Sequence, residues 1–161
     1  SVTAEIVVPA KGAEGVIISQ GANIGGWSLY AKGGKLKYCY NWGGFKHFMV
    51  ESSGPIPAGD HQVRMEFAYA GGGPGKGGKA TLLVDGKKVG EGDIGATLAS
   101  VFSADDGCDV GEDSGSQVSP DYGLDNRFNG KVKGVLLSIA EDDGKHQVDP
   151  ADAIRVAMAR Q

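Results

Sequence analysis

Long apolar runs are missing from this chain. None approaches the ~20 residues with which a helix crosses a bilayer, and no basic-then-apolar stretch precedes the first expected strand. A spanning helix is therefore not expected, and the chain reads as soluble. Cysteine is nearly absent too. Cys39 and Cys108 stand too far apart for a zinc knuckle or a CxxC redox pair. A disulfide across a sandwich is one reading for them, and two buried free thiols is the preferred one. Neither sign of charge dominates: 16 Lys and Arg face 20 Asp and Glu, for a net charge of −4. Such a balance supplies no long-range pull on nucleic acid or on an anionic membrane. The three histidines, His47, His61 and His146, form no sequence cluster, so each is expected as a solvated or hydrogen-bonded surface residue rather than a ligand or base. The start at Ser1, without methionine, leaves a processed or truncated start open.

What is plentiful is glycine, with 28 of 161 residues and no collagen-like period. That is more than twice the usual ~7%, and its spread through the chain points to turns. The hydrophobic share of 40%, interleaved with polar residues, is enough apolar matter to oppose chain entropy in one domain. Alternation with period two is clearest at Val63, Met65, Phe67 and Tyr69 against Gln62, Arg64, Glu66 and Ala68, which places one row in a core and the other outside. Leu36, Tyr38 and Tyr40 alternate likewise with Lys35, Lys37 and Cys39, and Trp27 and Leu29 share a face in the run before them. Gly33-Gly34 between those two runs is a hairpin signal, and Asp85-Gly86 joins a second hairpin over residues 80–92.

Further strands are expected at residues 4–8, 15–19, 48–52 and 132–139. Residues 53–59, with Pro55 and Pro57, are expected as a connection, because proline cannot donate to a central ladder. Some ten short strands call for two sheets packed face to face, hence an all-β antiparallel sandwich or jelly roll over residues 1–148. Residues 149–161 alone look helical. Asp149 caps, Pro150 fits the first turn, and Ala151, Ile154, Ala157 and Met158 form an apolar stripe. A helix this short is marginal alone, so Ile154 and Met158 are docking candidates.

The lysines at 32, 35 and 37 and at 76, 79, 87 and 88 read as edge protection against aggregation. Residues 73–80, GPGKGGKA, contain both GxGxxG and most of a phosphate loop. Either motif must open a helix, and a phosphate loop needs Ser or Thr where Ala80 stands. A loop between antiparallel strands is therefore the expected structure. Asp105, Asp106, Asp109, Glu112, Asp113 and Asp121 crowd a Gly- and Ser-rich segment. They lack EF-hand spacing and read first as a solvated loop, with Asp105, Asp109 and Asp113 kept as weak calcium candidates. Tyr40, Asn41, Trp42, Phe45 and His47 surround Gly43-Gly44 at an expected turn. Ring faces beside polar groups can form a sugar platform. The competing and favoured reading has Tyr40 and Phe48 capping the core while Trp42 and Phe45 cover a sandwich end or dock onto a partner.

Several words of the sequence resemble the C-terminal region of bacterial arylsulfatase-type sulfatases: TAEIVVP (3–9), GWSLYAKGGKLKYCYN (26–41), GPGKGGKATLLVDGKKVGEG (73–92), FSADD (102–106), DVGEDSGSQVSPDY (109–122) and RVAMARQ (155–161). They span nearly the whole chain. The resemblance implies a concanavalin A-like jelly roll that serves as an accessory part, with a sulfatase catalytic domain as its partner. The family's nucleophile opens a C/S-x-P-x-R motif. Cys39 precedes Tyr-Asn-Trp-Gly and Cys108 precedes Asp-Val-Gly-Glu, so neither fits, and no catalytic residue carries over. A glycan hydrolase on this fold would need two carboxylates facing one cleft at about 5–5.5 Å or about 6.5–9.5 Å, and no ExDxxE-like strand supplies them. The expectation is a non-catalytic module that needs no cofactor and acts by domain docking or by shaping substrate access. The alternative is a free-standing carbohydrate- or protein-binding lectin-like module.

Overall fold

The computed structural model describes residues 1–99, 102 and 107–139. The expected helix over 149–161, with Ile154 and Met158, lies outside the described residues, as do Asp105, Asp106 and His146.

Ten strands follow one another: β1 (Val2–Val8), β2 (Gly15–Ala22), β3 (Gly25–Lys32), β4 (Lys35–Trp42), β5 (Lys46–Pro55), β6 (Gly59–Tyr69), β7 (Lys76–Val84), β8 (Lys87–Ala96), β9 (Cys108–Val110) and β10 (Lys131–Leu137). They form two five-stranded antiparallel sheets, ordered β10-β1-β6-β7-β8 and β5-β4-β3-β2-β9. The chain changes sheet after β1, β5, β8 and β9, which is the connectivity of a jelly-roll sandwich. Both anticipated hairpins are present. Gly33 and Gly34 take φ of 59° and 79°, and Asp85 and Gly86 take 50° and 74°, the positive values a type I′ turn needs at both central positions. Residues 73–75 lead into β7, which already begins at Lys76 rather than at the expected Ala80, so the loop is shorter than expected and the helix that phosphate binding would require is not there. The end of β5 differs from expectation as well. β5 runs on to Pro55, which pairs with Lys35. Since β5 is an edge strand, the missing proline N–H costs no ladder bond.

The core lies between two facing cross-strand rows. In the second sheet Gln20, Trp27, Tyr40 and Phe48 stand side by side. Opposite them the first sheet presents Leu137, Val2, Met65 and Leu82 in register. The sandwich is pinched on one side. A Cβ on Gly90 would meet the Glu51 carbonyl oxygen at 2.4 Å, and one on Gly92 would meet Val50 at 2.9 Å. β8 can press against β5 only because both positions lack side chains. On the other side the bulky Trp27, Tyr38, Tyr40, Met65 and Phe67 hold the sheets apart around a cavity of about 450 Å³.

The second sheet is buried on its outer face as well. Val16, Ser28, Tyr30, Cys39 and Asn41 all point away from the sandwich core and are still inaccessible. Residues 111–128 lie over them as a strap. Its far end is tied by the Val16 amide donating to the Asn126 carbonyl (2.7 Å) and by a parallel bridge between Val16 and Arg127. Gly15 makes this possible, because any Cβ there would stand 2.3 Å from the Arg127 carbonyl oxygen.

Candidate binding surfaces

In an extended strand, consecutive side chains point to opposite faces, and this separates the residues around the β4–β5 turn. Tyr40 points into the core. Its hydroxyl accepts the Leu98 amide (2.9 Å), and its ring meets Phe102 edge-on at 6.0 Å. Asn41 points the other way and is fully buried. Its Nδ2 donates to the carbonyls of Ala22 (3.1 Å), Asn23 (3.0 Å) and Val118 (3.1 Å), while Oδ1 accepts the Gly44 amide (2.8 Å). This amide ties the β2–β3 turn, the β4–β5 turn and the strap together, and nothing of it is left for a ligand. His47 pairs with Asn41 across β4 and β5 and so shares the outer face. Trp42 and Phe45 remain accessible, with rings 6.2 Å apart.

Next to them stands Ile24, which the sequence did not single out. The two turns touch: a Cβ on Gly44 would lie 2.9 Å from the Asn23 carbonyl oxygen. Ile24, Trp42 and Phe45, 63%, 37% and 87% exposed, thus share one end of the second sheet. Leu98, which approaches Gly25 and Gly43, underlies them. Lys46 flanks the patch and places its Nζ 4.9 Å from the Phe48 ring centre.

The acidic side chains in and beside the strap make local contacts. The Asp113 carboxylate is buried and accepts from the Val118 amide (2.9 Å) and the Tyr122 hydroxyl (2.7 Å). Asp109 accepts from the amide and hydroxyl of Ser114, and Glu112 pairs with Arg127. Among the described residues no three His, Cys, Asp or Glu side chains gather as a metal-holding group. Asp121 is the strap's electrostatic anchor. It accepts the Tyr30 hydroxyl (2.7 Å) and pairs with Lys37 (2.9 Å), and its carbonyl accepts from Lys32. Partial burial alone would raise its pKa, but the Tyr30 hydroxyl and the Lys37 ammonium outweigh it and hold the carboxyl below the usual range. Burial pushes the Tyr30 and Tyr122 hydroxyls upward, so both stay protonated. These rings meet edge-on at 5.1 Å above Cys39.

Both cysteines are free. Cys39 is buried as expected, and desolvation pushes its thiol up to about 12. Cys108 departs from expectation: it is exposed, because β9 is a three-residue edge strand. His61 is paired with Asp85 at 2.7 Å.

No known protein family matches the chain, and no curated protein matches it. Among solved structures it is similar to the native heptameric SAP-like pentraxin from Limulus polyphemus. The identity is 13% and the TM-score 0.48, over 83% of this chain and 60% of that one. This chain therefore spans less than two thirds of that protein's length.

Proposed function

We propose that this chain is a non-catalytic recognition module whose working surface is the loop end formed by Ile24, Trp42 and Phe45. One observation carries the reading: three large apolar side chains from two touching turns stand exposed together, while the polar groups beneath them are spent on holding those turns. Scattered exposed apolar residues are ordinary, whereas a contiguous apolar patch on a rigid support is what an interaction surface needs. The patch suits an apolar partner surface. With the sulfatase resemblance, the partner is the catalytic domain of a sulfatase-type hydrolase, against which this module docks. A second reading, a lectin-like site, is supported by the accessible Trp42 ring beside Phe45, since sugars stack their apolar faces on such rings.

The test is a Trp42→Ala/Phe45→Ala variant beside the unaltered chain. Binding is measured by calorimetry to an arylsulfatase-type catalytic domain and on an array of sulfated and neutral glycans. The unaltered chain binds one of the two, and the variant loses at least tenfold in affinity while keeping its circular dichroism spectrum. Binding that survives the double substitution, or no binding to either probe, overturns the assignment.

A further inference from the structure

On the wide side of the wedge lies the cavity of about 450 Å³, at the opening between β2 and β3 of one sheet and β1 and β10 of the other. Its floor is Trp27, Tyr38 and Tyr40, and its roof is Val2, Met65, Phe67 and Leu137. None of the described lining residues carries a charged side chain. The volume falls within the range of about 300–1,000 Å³ typical of small-molecule sites, and the lining has their usual make-up of apolar walls with few polar groups.

Those polar groups are specific in kind. The Tyr38 side chain is only 3% exposed, yet its hydroxyl has no hydrogen-bond partner among the described residues. It is also absent from the buried polar atoms that are wholly sealed and unpaired, so it opens onto the cavity it lines. An acceptor arriving in the cavity therefore meets a hydroxyl donor that no described protein group occupies. Gln20, at the rim, uses Oε1 to accept the Trp27 indole N–H (3.1 Å). That bond fixes the amide and leaves Nε2 as a donor. Tyr40, by contrast, is already engaged with the Leu98 amide. At the rim the Ser1 ammonium donates to the Ser138 carbonyl (2.6 Å).

We infer that this inter-sheet cavity is a second binding site, separate from the loop end, for an uncharged and largely hydrocarbon small molecule carrying one oxygen acceptor. The aromatic walls take the hydrocarbon, and the Tyr38 hydroxyl and Gln20 amide donate to the oxygen. An anion is disfavoured in the interior, where the aromatic and aliphatic walls carry no charge; the cation among the described lining residues, the Ser1 ammonium, lies exposed at the rim and already donates to the Ser138 carbonyl.

The experiment uses the full chain with Trp42→Phe, so that Trp27 is the sole tryptophan reporter. Quenching of its emission is titrated with three probes: 2-acetylnaphthalene, naphthalene and 2-naphthoate. The ketone is expected to bind saturably, and the carboxylate at least tenfold more weakly. Adding Tyr38→Phe is expected to weaken the ketone by about five- to tenfold, the worth of one hydrogen bond, and to leave naphthalene unchanged. Comparing two probes in one variant separates loss of the hydroxyl from a folding defect, which would weaken both. The proposal is overturned if the ketone fails to saturate, if the carboxylate binds equally well, or if Tyr38→Phe affects the two neutral probes alike.

Discussion

Removing the Asn41 amide should cost far more than an ordinary polar substitution, because four backbone groups depend on it. Its Nδ2 has two hydrogens to share among the carbonyls of residues 22, 23 and 118, and its Oδ1 holds the Gly44 amide. Asn41→Ala therefore deletes three hydrogen bonds' worth of donor and acceptor capacity. At a net value of about 1 kcal/mol each, the loss is about 3 kcal/mol, rising toward ~6 if water cannot reach the orphaned groups. Domains hold only about 5–15 kcal/mol in total, so the variant should remain folded at 25 °C but marginal. Asn41→Asp supplies a sharper comparison. It keeps an acceptor for Gly44 and sets a carboxylate oxygen against three carbonyls, so at neutral pH it should be at least as damaging as alanine. Its deficit should shrink on acidification, as protonation restores one donor. Urea unfolding followed by circular dichroism, with the slope m held common, gives both values. An alanine deficit below about 1 kcal/mol would show that the turns and strap hold their places without this side chain, and the account of how Trp42 and Phe45 are rigidly presented would fall with it.

Two further outcomes test other parts of the structure. Gly92→Val should drive β8 away from β5, costing about 1–3 kcal/mol as overpacking. Gly86→Val, where a new Cβ meets nothing within 4 Å but φ is positive, separates backbone strain from sheet separation. Equal thermal shifts from the two would refute the pinch. Asp121 titrates below its ordinary value when folded, so its contribution is present above the unfolded carboxyl value of about 4 and is lost as pH falls through the folded one. The urea midpoint of Asp121→Asn should accordingly depend less on pH below about 4 than that of the unaltered chain; parallel profiles would remove Asp121 as the strap's acid-sensitive anchor.

What could be read from the sequence was local. The two hairpins announced themselves because Gly33-Gly34 and Asp85-Gly86 carry their turn geometry in their own backbone preferences. The inward row at Val63 and Met65 followed from simple alternation. The strap did not, because residues 111–128 have no periodicity and are held by side chains reaching backbone groups distant in sequence, such as Asn41 to Val118. A signal was nonetheless present in β3, where Tyr30 on one parity and Trp27 and Leu29 on the other mark a strand covered on both faces. The platform over Tyr40, Asn41, Trp42, Phe45 and His47 treated neighbours as one surface. Extending β4 as far as Trp42 would have sent Asn41 and Trp42 to opposite sides. Ile24 joined the patch through turn-to-turn contact alone, which no single stretch of sequence encodes.

The position of β1 constrains how the chain can be made. It is an interior strand, flanked by β6 and β10, and Val2 ends up beside Leu137. A chain emerging from the ribosome at about 5–20 residues per second therefore exposes β1 with both edges bare for several seconds before β6 arrives, and with one edge bare until β10 follows. Within the meander β2 to β5 each strand pairs with its neighbour in sequence and can close meanwhile, leaving only the outer edge of β2 to wait for β9. Synthesis thus passes through a half-built particle, four strands of one sheet paired and an apolar strand waiting, and this is the interval in which a chaperone, or a second nascent chain, would find something to hold.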